Sequence, residues 1–385
     1  MPPKIKIRPV PRLRAMSLFS GMGGDSLGMV QAGLNLVAYC EKDRTFRATH
    51  DMNFHDCVAM GGAVEGDITR IPDSEFASYR NRVDLIFAGF PCQGHSKGGK
   101  KDANDPRNQL FFQFSRAVEI IQPKFFVGEN VKGLLSSRTP DGSRLFIDVI
   151  AEEFARLGYA MKYQVFKTEK YGVPQKRERV ILIGMRQADL IAAGGMDRLA
   201  FPPEWTARPD LRAIVRFDMT GAIRVLPEDF DMSRLPDECV LTDMSNDEDE
   251  NPENPPHPYL KVKVKTRGES YAGITYPQLL SFGKRASPIH GEIIDIRQPA
   301  KTIICTYDHQ PRLFVPLKNR RGYFLRCLLP LELKQIQGFP VDYEIAGNLK
   351  QQIVQIGNSV PPGLVRQVVN TLVRGAAARP SSASR

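Results

Sequence analysis

Short apolar runs and amphipathic stretches alternate along the first half of the chain. The apolar runs Ala15–Phe19, Leu36–Glu41 and Val83–Ala88 each predict a strand. Apolar residues also recur at helical spacing, as in the predicted helix Gln109–Gln122. Strands that alternate with helices are typical of a parallel sheet covered by helices on both faces. The pattern therefore predicts a doubly wound α/β domain, with Phe125–Val127 as a further buried strand.

The remaining sequence predicts how the chain is divided. The first 14 residues carry five basic side chains, four prolines and no acidic residue, which is typical of an extended arm. After Met185 the periodicity is lost in Pro-rich and Gly-rich sequence, which predicts a smaller, irregular domain, and helical spacing returns near the C-terminus. The predicted segments are a basic arm at 1–13, an α/β domain at 14–185, the irregular domain at 186–295 with part of 296–345, a segment at 346–374 that returns to the first domain, and a disordered tail at 375–385.

Composition and charge narrow the classes of protein. With 385 residues and 42% hydrophobic content, the chain can bury a large core. Its longest apolar runs are far shorter than the roughly 20 residues of a membrane-spanning helix, and no apolar signal region follows the basic N-terminus. We therefore expect an intracellular protein, in the cytoplasm or nucleoid of a prokaryote or in the nucleus or viral factory of a eukaryotic or viral system. The net charge of +10 fits a polyanionic partner, but many other soluble proteins share such a charge.

A glycine-rich turn follows the first predicted strand. Phe19 leads into Ser20-Gly21-Met22-Gly23-Gly24, and Glu41 stands at the end of the next strand. Such a turn lets the backbone approach a ligand closely, and the acidic residue can hold a ribose hydroxyl. The same arrangement serves dinucleotides, S-adenosylmethionine and purely structural turns. The Gly-x-Gly-Gly spacing fits a dinucleotide poorly, and Phe19 is placed to contact an adenosine or methionyl group.

The six cysteines are scattered, with no Cys-x-x-Cys pair and no His cluster at metal-ligand spacing. This predicts free thiols and no bound metal. Cys92 differs from the others because it lies in a loop directly after the strand Val83–Ala88, where parallel sheets bind their ligands. A thiol there would be open to substrate, although a lone cysteine is usually a small core residue.

Two further polar groups follow predicted strands. Glu129 comes just after Phe125–Val127, where it could also be a helix cap or part of a solvated turn. Alternation in an extended segment places Gln175, Arg177 and Arg179 on one side, where they could also belong to a charged edge strand. Together with Cys92, these residues meet the requirements of one reaction.

That reaction is the methylation of cytosine at C5. Because C5 is a poor nucleophile, a thiolate such as that of Cys92 must first add to C6. Addition requires a carboxylic acid at N3 that also accepts from the exocyclic amine, and Glu129 can fill that role. Arg177, and also Arg179, can hold the O2 oxygen and the sugar-phosphate and can favour the thiolate.

From Ser17 to Pro362 the sequence closely resembles the DNA cytosine-C5 methyltransferase family. The matching segments occur in the family's order: Leu18–Gly24, Glu41, Gly66–Ile68, Pro91–Gln93, Asp105–Phe111, Glu129–Val131, Gln175-x-Arg177-x-Arg179, Arg297–Ile303, Leu333–Pro340 (with Gln337–Pro340) and Gln355–Pro362. The sequence departs from the family at Ser17, where an aspartate is usual, at Phe90, where a proline is usual, and at His95, where a phenylalanine is usual.

The resemblance implies a Rossmann-like, S-adenosylmethionine-dependent methyltransferase domain and a smaller target-recognition domain. The implied reaction transfers a methyl group to C5 of a flipped-out cytosine in a specific duplex DNA sequence, through a Cys92–C6 adduct, and yields S-adenosylhomocysteine. The implied catalytic residues are Cys92, Glu129, Arg177, Arg179, Gln175 and Asn130. The implied cofactor residues are Phe19, Ser20, Gly21, Gly23, Gly24, Glu41, Asp67, Ile68, Pro91, Leu110, Asn358, Ser359 and Val360. The implied DNA-binding residues are Gln93, Ser96, Lys97, Lys261, Lys263, Lys265 and Arg267, of which the last four could equally form a solvated charged strand.

The expected partner is double-stranded DNA. A cognate restriction endonuclease would act separately, and the protein is expected to be a monomer that uses no metal and binds no membrane. The alternatives are a methyltransferase of the same fold that acts on transfer RNA, a catalytically silent DNA-binding relative and a nicotinamide-dependent oxidoreductase. The first lacks its expected Cys-Phe-Thr signature here, the second would normally have lost Cys92, Glu129 or Arg177, and the third has no use for Pro91-Cys92.

Overall fold

The structure is a computed structural model that describes residues 12–91, 110–139, 141–227, 230–249, 270–271, 274–275, 280–284, 291–307 and 311–377. Contacts within the chain divide it into two compact units. Unit 1 consists of Met1–Phe166, Glu178–Pro203 and Pro362–Arg385, and unit 2 consists of Lys167–Arg177 and Glu204–Pro361.

The described strands, in chain order, are β1 (Arg14–Leu18), β2 (Asn35–Cys40), β3 (Val58–Ala59), β4 (Leu85–Ala88), β5 (Phe125–Val131), β6 (Tyr159–Lys167), β7 (Gln175–Lys176), β8 (Glu178–Arg186), β9 (Ile223–Arg224), β10 (Leu241–Thr242), β11 (Ser270–Tyr271), β12 (Ile274–Thr275), β13 (Leu280–Phe282), β14 (Gly291–Ile293), β15 (Ala300–Lys301), β16 (Leu313–Asn319) and β17 (Gly322–Cys327). The described helices are α1 (Gly24–Gln31), α2 (Arg44–Asn53), α3 (Asp73–Ala77), α4 (Leu110–Ile121), α5 (Phe146–Arg156), α6 (Gln187–Ala193), α7 (Pro330–Ile336), α8 (Leu349–Asn358) and α9 (Pro362–Ala377).

Unit 1 is built on a seven-stranded sheet in the order β3-β2-β1-β4-β5-β8-β6. The strands from β3 to β5 pair in parallel, and β8 pairs antiparallel with β5. The chain runs outward from β1 to β2 and β3, and it then returns to form β4 on the other side of β1. Such a reversal leaves a crevice at the carboxyl ends of the two central strands, where α/β proteins bind their ligands. The predicted doubly wound α/β architecture is therefore confirmed.

Aromatic rings fill the core between α4, α5 and β5. Apolar residues recur at helical spacing along α4, and Phe111, Phe114 and Ile121 are at most 1% exposed. Phe154 of α5 stacks on Phe126 of β5 with 3.9 Å between ring centroids, and Phe114 meets both rings edge-on. Burial of each such ring contributes about 1.5–3 kcal/mol to folding. This packing holds the central strands rigidly in place.

Unit 2 is more regular than the sequence analysis expected. Its main sheet has six strands in the order β13-β14-β16-β17-β9, with β10 paired to β16. Two smaller pairs, β7 with β15 and β11 with β12, complete the described strands of this unit. Apart from the β16–β17 hairpin, these strands are only two or three residues long, so they carry no periodicity that a sequence could show.

The compact units differ from the predicted domains at three places. Residues 167–177 belong to unit 2, residues 186–203 belong to unit 1, and residues 346–361 belong to unit 2, so that only α9 returns to unit 1. There, α9 packs against α1 so closely that a Cβ on Gly28 would lie 2.5 Å from the Val365 Cβ. The predicted strand Phe125–Val127 is also longer, because β5 continues to Val131. In the described part of the chain, no helix has both the length and the apolar character needed to cross a membrane.

Candidate active site

Two neighbouring strands of unit 1, β1 and β4, end at the same level, and β5 continues three residues beyond that level. Leu18 of β1 pairs with Ala88 of β4, and Ala88 pairs with Gly128 of β5. The residues that follow are Phe19, Gly89 and Glu129. A Cβ built on Gly89 would lie 3.7 Å from the Phe19 carbonyl oxygen and 3.8 Å from Glu129 Oε2. The sheet thus brings the glycine-rich turn, the loop that leads to Cys92 and the Glu129 carboxyl to one edge.

The turn after β1 has an unusual backbone. Phe19 has a φ of 56°, which is strained for a residue with a side chain, and Gly21 and Gly23 have φ values of 55° and 90°. The Gly23 amide donates to the Ser20 carbonyl at 2.9 Å, and Gly23 precedes the first residue of α1. The predicted cofactor residues Phe19, Ser20, Gly21, Gly23 and Gly24 therefore form one tight turn that ends at a helix N-terminus.

Glu41 lies beside this turn. Its Oε2 accepts from the Gly21 amide and its Oε1 from the Asp43 amide, both at 2.8 Å. Burial raises the pKa of the Glu41 carboxyl. Each oxygen retains a lone pair, so the carboxylate is fixed in position and can still accept from a pair of ribose hydroxyls.

The segment Gly66–Ile68 lies against the end of β2. A Cβ on Gly66, whose φ is 74°, would lie 2.0 Å from the Glu41 carbonyl oxygen, so this close approach requires glycine. Asp67 accepts from the Thr69 amide at 3.2 Å and from Lys42 Nζ at 2.8 Å, and Ile68 is buried. The predicted ribose and adenine residues are therefore neighbours.

The departure from the family at Ser17 is linked to a second buried polar residue. The Ser17 hydroxyl donates to the carboxylate of Asp25 in the first turn of α1, and neither side chain is exposed. Burial raises the pKa of Asp25 to about 7. Beside it, Ser26 Oγ lies 2.9 Å from Nε2 of His50, whose pKa burial lowers to about 3. A carboxyl is thus present beside residue 17, where the family usually has an aspartate, but it belongs to Asp25 of α1 and not to β1. Sequence analysis missed Asp25.

Glu129 forms an ion pair within the sheet. Its Oε1 lies 2.7 Å from Arg179 Nε, and the two side chains are only 14% and 16% exposed. Contrary to the sequence analysis, Glu129 lies inside β5 and does not follow it. Across the antiparallel β5–β8 pair, Arg179 stands opposite Val131, which makes it the diagonal neighbour of Glu129 on the same face. The charged edge strand considered from the sequence is not formed at Arg179, since β8 lies between β5 and β6. Gln175, in contrast, lies in β7 of the two-stranded β7–β15 pair.

Asn130 connects this strand to the segment Gly89–Pro91, which precedes Cys92 in the sequence. Its Nδ2 donates to the Phe90 carbonyl at 3.0 Å, while its Oδ1 accepts from the Val131 amide at 2.8 Å. Phe90, which stands where the family usually has proline, is buried against Phe111 and Phe114 at centroid distances of 5.8 and 6.0 Å. The backbone just before Pro91 is therefore held by a hydrogen bond and by aromatic packing.

Several predicted site residues lie outside the described residues. They are Cys92, Gln93, Ser96, Lys97, Lys261, Lys263, Lys265 and Arg267. Pro91 is the last described residue before this loop and is half-buried, and Leu110 is the half-buried first residue of α4.

Gln175 and Arg177 belong to unit 2. Arg177 is 2% exposed, and its Nη1 donates to the carbonyls of Gly357 at 2.9 Å and Ile303 at 3.4 Å. Gln175 lies in β7, which pairs with β15, and its Oε1 accepts from the Ile303 amide at 3.1 Å. The sequence analysis gave Arg177 precedence over Arg179, but the ion pair with Glu129 belongs to Arg179 because β8 begins only at Glu178.

The predicted cofactor residues Asn358, Ser359 and Val360 follow directly on Gly357, also in unit 2. Asn358 is exposed, Ser359 is buried and Val360 is half-buried. The Ser359 amide donates to the Gln355 carbonyl at 3.1 Å. A Cβ on Gly357 would lie 2.5 Å from the Cys305 backbone nitrogen, so glycine is required here.

Among the described residues, no group of three or more His, Cys, Asp or Glu side chains could hold a metal ion.

Nearly the whole chain matches a family of known proteins. A family model for C-5 cytosine-specific DNA methylases matches residues 13–374. The type II methyltransferase M.PspPI of Psychrobacter sp. is 30% identical over 385 residues, which cover 96% of this chain and 81% of that protein. M1.HphI of Haemophilus parahaemolyticus is 31% identical over 375 residues, which cover 94% of this chain and 87% of that protein. M.DdeI of Desulfomicrobium norvegicum is 40% identical over 175 residues, which cover 45% of this chain and 41% of that protein.

Solved structures resemble the fold. A DNMT2 variant of Spodoptera frugiperda superposes with a TM-score of 0.61 at 16% identity and covers 94% of this chain and 99% of that one. The methyltransferase EhMeth of Entamoeba histolytica gives a TM-score of 0.61 at 15% identity, over 95% of this chain and 99% of that one. At these identities the likeness concerns the fold alone, and it confirms the Rossmann-like α/β fold.

Proposed function

Because the chain belongs to the family of C-5 cytosine-specific DNA methylases, we propose that it methylates C5 of a cytosine flipped out of a specific duplex DNA sequence, with S-adenosylmethionine as donor. The observation that carries this proposal is the meeting of Glu129, the turn at Phe19 and the loop at Gly89 at one edge of the sheet. Extrusion of the base is required because C5 and C6 cannot be reached inside a stacked duplex.

The described residues fit the cofactor. The Glu41 carboxylate, fixed by the amides of Gly21 and Asp43, would hold the ribose hydroxyls. Asp67 and Ile68 would contact the adenine, and the turn from Phe19 to Gly24 would hold the methionyl group at the N-terminus of α1. Pro91 and Leu110 are further proposed contacts in unit 1. For Asn358, Ser359 and Val360, contact with the cofactor remains a prediction from the resemblance. When bound, S-adenosylmethionine supplies an electrophilic methyl group, and S-adenosylhomocysteine is released.

Glu129 is proposed as the acid that activates the ring. The Cys92 thiolate would add to C6 while Glu129 delivers a proton to N3 and accepts from the exocyclic amine. This leaves C5 electron-rich, so that it can accept the methyl group. A thiolate suits the task because it also departs readily. Solvent water would take the C5 proton of the methylated ring, the C6–S bond would break as the C5–C6 double bond re-forms, and N3 would return its proton to Glu129.

The neighbouring residues orient these groups. Arg179, paired with Glu129 at 2.7 Å, is proposed to hold the carboxyl and to contact the O2 side of the base. Asn130, through the Phe90 carbonyl, would position the loop that carries Cys92. For Arg177 and Gln175, contact with the extruded nucleotide remains a prediction from the resemblance.

DNA binding is assigned to residues outside the described part of the chain. Gln93, Ser96 and Lys97 are proposed to act in the loop that closes over the flipped base. The basic stretch Lys261, Lys263, Lys265 and Arg267 would follow phosphates, in which case affinity for DNA falls steeply with salt. The target site would be read by the domain predicted at 186–295. A restriction endonuclease with the same target site would act as a separate protein.

The decisive experiment is methylation of random-sequence duplex DNA, followed by mapping of 5-methylcytosine at base resolution. We expect methylated cytosines within a single short sequence context. A Cys92→Ser variant should yield none, and near-normal turnover by that variant would refute the mechanism. Transfer RNA is assayed in parallel, and methylation of RNA in preference to DNA would favour the alternative substrate.

A further inference from the structure

A chain of buried hydrogen bonds in unit 2 joins two glutamines to the cofactor segment. Gln175 Nε2 donates to Gln337 Oε1 at 2.5 Å, and Gln337 Nε2 donates to the Ser359 carbonyl. Both glutamine side chains are 0% exposed. The far end of this series of hydrogen bonds is fixed as well, because Gln175 Oε1 accepts from the Ile303 amide at 3.1 Å.

A second contact holds the backbone two residues before Ser359. The Gly357 carbonyl accepts from Arg177 Nη1 at 2.9 Å, and Gly357 itself packs on the backbone of Cys305. Asn358, which is exposed, therefore stands between two residues whose carbonyls are both bound to buried side chains. The backbone on both sides of Asn358 is therefore held by hydrogen bonds to buried side chains.

We propose that Gln337 is a positioning residue for S-adenosylmethionine, which acts through the Ser359 carbonyl to fix the segment Asn358–Val360. The inference rests on the proposed function, since it takes this segment to bind the cofactor. Gln175 contributes to this positioning, because its side-chain amide donates to Gln337 Oε1 and so orients the Gln337 amide.

The chemistry of the relay explains why glutamine is required at position 337. The side chain must accept from Gln175 and donate to Ser359 at the same time, and only a primary amide of this length does both without a charge. An apolar residue would leave the buried Ser359 carbonyl without its side-chain donor. An ionised glutamate would keep the acceptor and lose the donor, and only its protonated form could replace the amide.

The test measures binding of S-adenosylmethionine by calorimetry, without DNA. We expect Gln337→Leu to raise the dissociation constant by roughly 10-fold or more, as the loss of a buried hydrogen bond implies. In steady-state assays the KM for S-adenosylmethionine should rise while kcat at saturating cofactor stays within about threefold. Unchanged affinity in this variant would overturn the proposal.

Two further measurements separate positioning from general destabilisation. Asn319 is also buried in unit 2, and its Nδ2 donates to the Glu248 carbonyl at 2.8 Å. Asn319→Leu is therefore the control for loss of a buried side-chain amide, and it should leave the affinity within about threefold. If Gln337→Leu does not fold, Gln337→Met keeps the length of the side chain without an amide, and it should weaken binding to a similar extent. Normal affinity in Gln337→Met would count against the relay.

Coupling between the two glutamines is measured with a double-mutant cycle. Because Gln175 acts through Gln337, the variant Gln175→Leu should weaken binding much less in a Gln337→Leu background than in the wild type. Strictly additive losses would contradict the relay. If the wild-type protein itself does not bind S-adenosylmethionine, it is the proposed function that fails, so the two failures are distinguishable.

Discussion

Asn130 donates a 3.0 Å hydrogen bond from its side-chain amide to the carbonyl oxygen of Phe90. This bond joins the strand that carries Glu129 to the loop that leads to Cys92. Because Asn130 Oδ1 also accepts from the Val131 amide, the side chain is held at both ends. The side chain of Asn130 would therefore help to position both the proposed acid, Glu129, and the proposed nucleophile, Cys92.

Replacement of Asn130 by alanine should therefore reduce catalysis. Without the bond to Phe90 the loop can shift, and a displacement of about 1 Å at a reacting group can cost roughly 10²-fold in rate. We expect kcat to fall by about that factor, whereas the dissociation constant of S-adenosylmethionine should change by less than about threefold. Asn53→Ala is the control, since the Asn53 amide donates to the Thr49 carbonyl within α2. Equal effects of the two variants would show that the loop is held by other means.

Glu129→Gln tests the acid directly. The amide keeps the size of the side chain but cannot deliver a proton to N3, so kcat should fall by roughly 10²–10⁴-fold with cofactor affinity retained. Glu178, in the same strand as Arg179, forms an exposed ion pair with Lys132 at 3.2 Å. Glu178→Gln is the matched control and should leave kcat within about twofold, because an exposed pair contributes little. Substantial activity in Glu129→Gln would exclude proton delivery from this residue.

The fold of unit 1 was predictable because its strands are apolar and long enough to be recognised in the sequence. β1, β2 and β4 are buried runs of four to six residues that alternate with helices. The end of β5 was not predictable, since the polar residues Glu129 and Asn130 stand where the apolar run stops. The sheet of unit 2 was missed because most of its strands are two or three residues long.

The site was predictable as a set of motifs but not as a set of contacts. The sequence singled out Glu129 and Arg179, yet their pairing depends on the register between β5 and β8. Ser17 stood out as a departure from the family, but its partner Asp25 lies in a different element. The sequence analysis placed Gln337 in a matching motif but gave it no role. That role was not predictable, because the two hydrogen-bond partners of Gln337 are 162 and 22 residues away in the sequence.

Phe90 gives a prediction about stability. Its ring packs between Phe111 and Phe114 and is 3% exposed, so Phe90→Ala should lower the free energy of unfolding by about 3–5 kcal/mol, as measured by urea denaturation. Phe112 lies on the same helix and is 38% exposed. Phe112→Ala should cost less than about 1 kcal/mol, and a similar loss from both variants would contradict the packing described for Phe90.

Asp25 makes stability depend on pH in an unusual direction. Its pKa of about 7 in the folded protein lies above the ordinary value of 3.8, because the carboxyl is buried beside Ser17. Between these two values the folded state binds more protons than the unfolded state, so the contribution of Asp25 to stability falls as pH rises.

Asp25→Asn should remove this dependence, because asparagine carries no charge at any pH and can still accept from the Ser17 hydroxyl. The free energy of unfolding of the wild type relative to the variant should therefore decline by on the order of 4 kcal/mol between pH 4 and pH 8. Urea denaturation at pH 4.5, 6 and 8 measures it, with Asp56→Asn as the control for loss of an exposed carboxyl. A difference that stays flat, or that grows with pH, would mean that Asp25 is ionised throughout this range and that the buried carboxylate is stabilised by its hydrogen bonds.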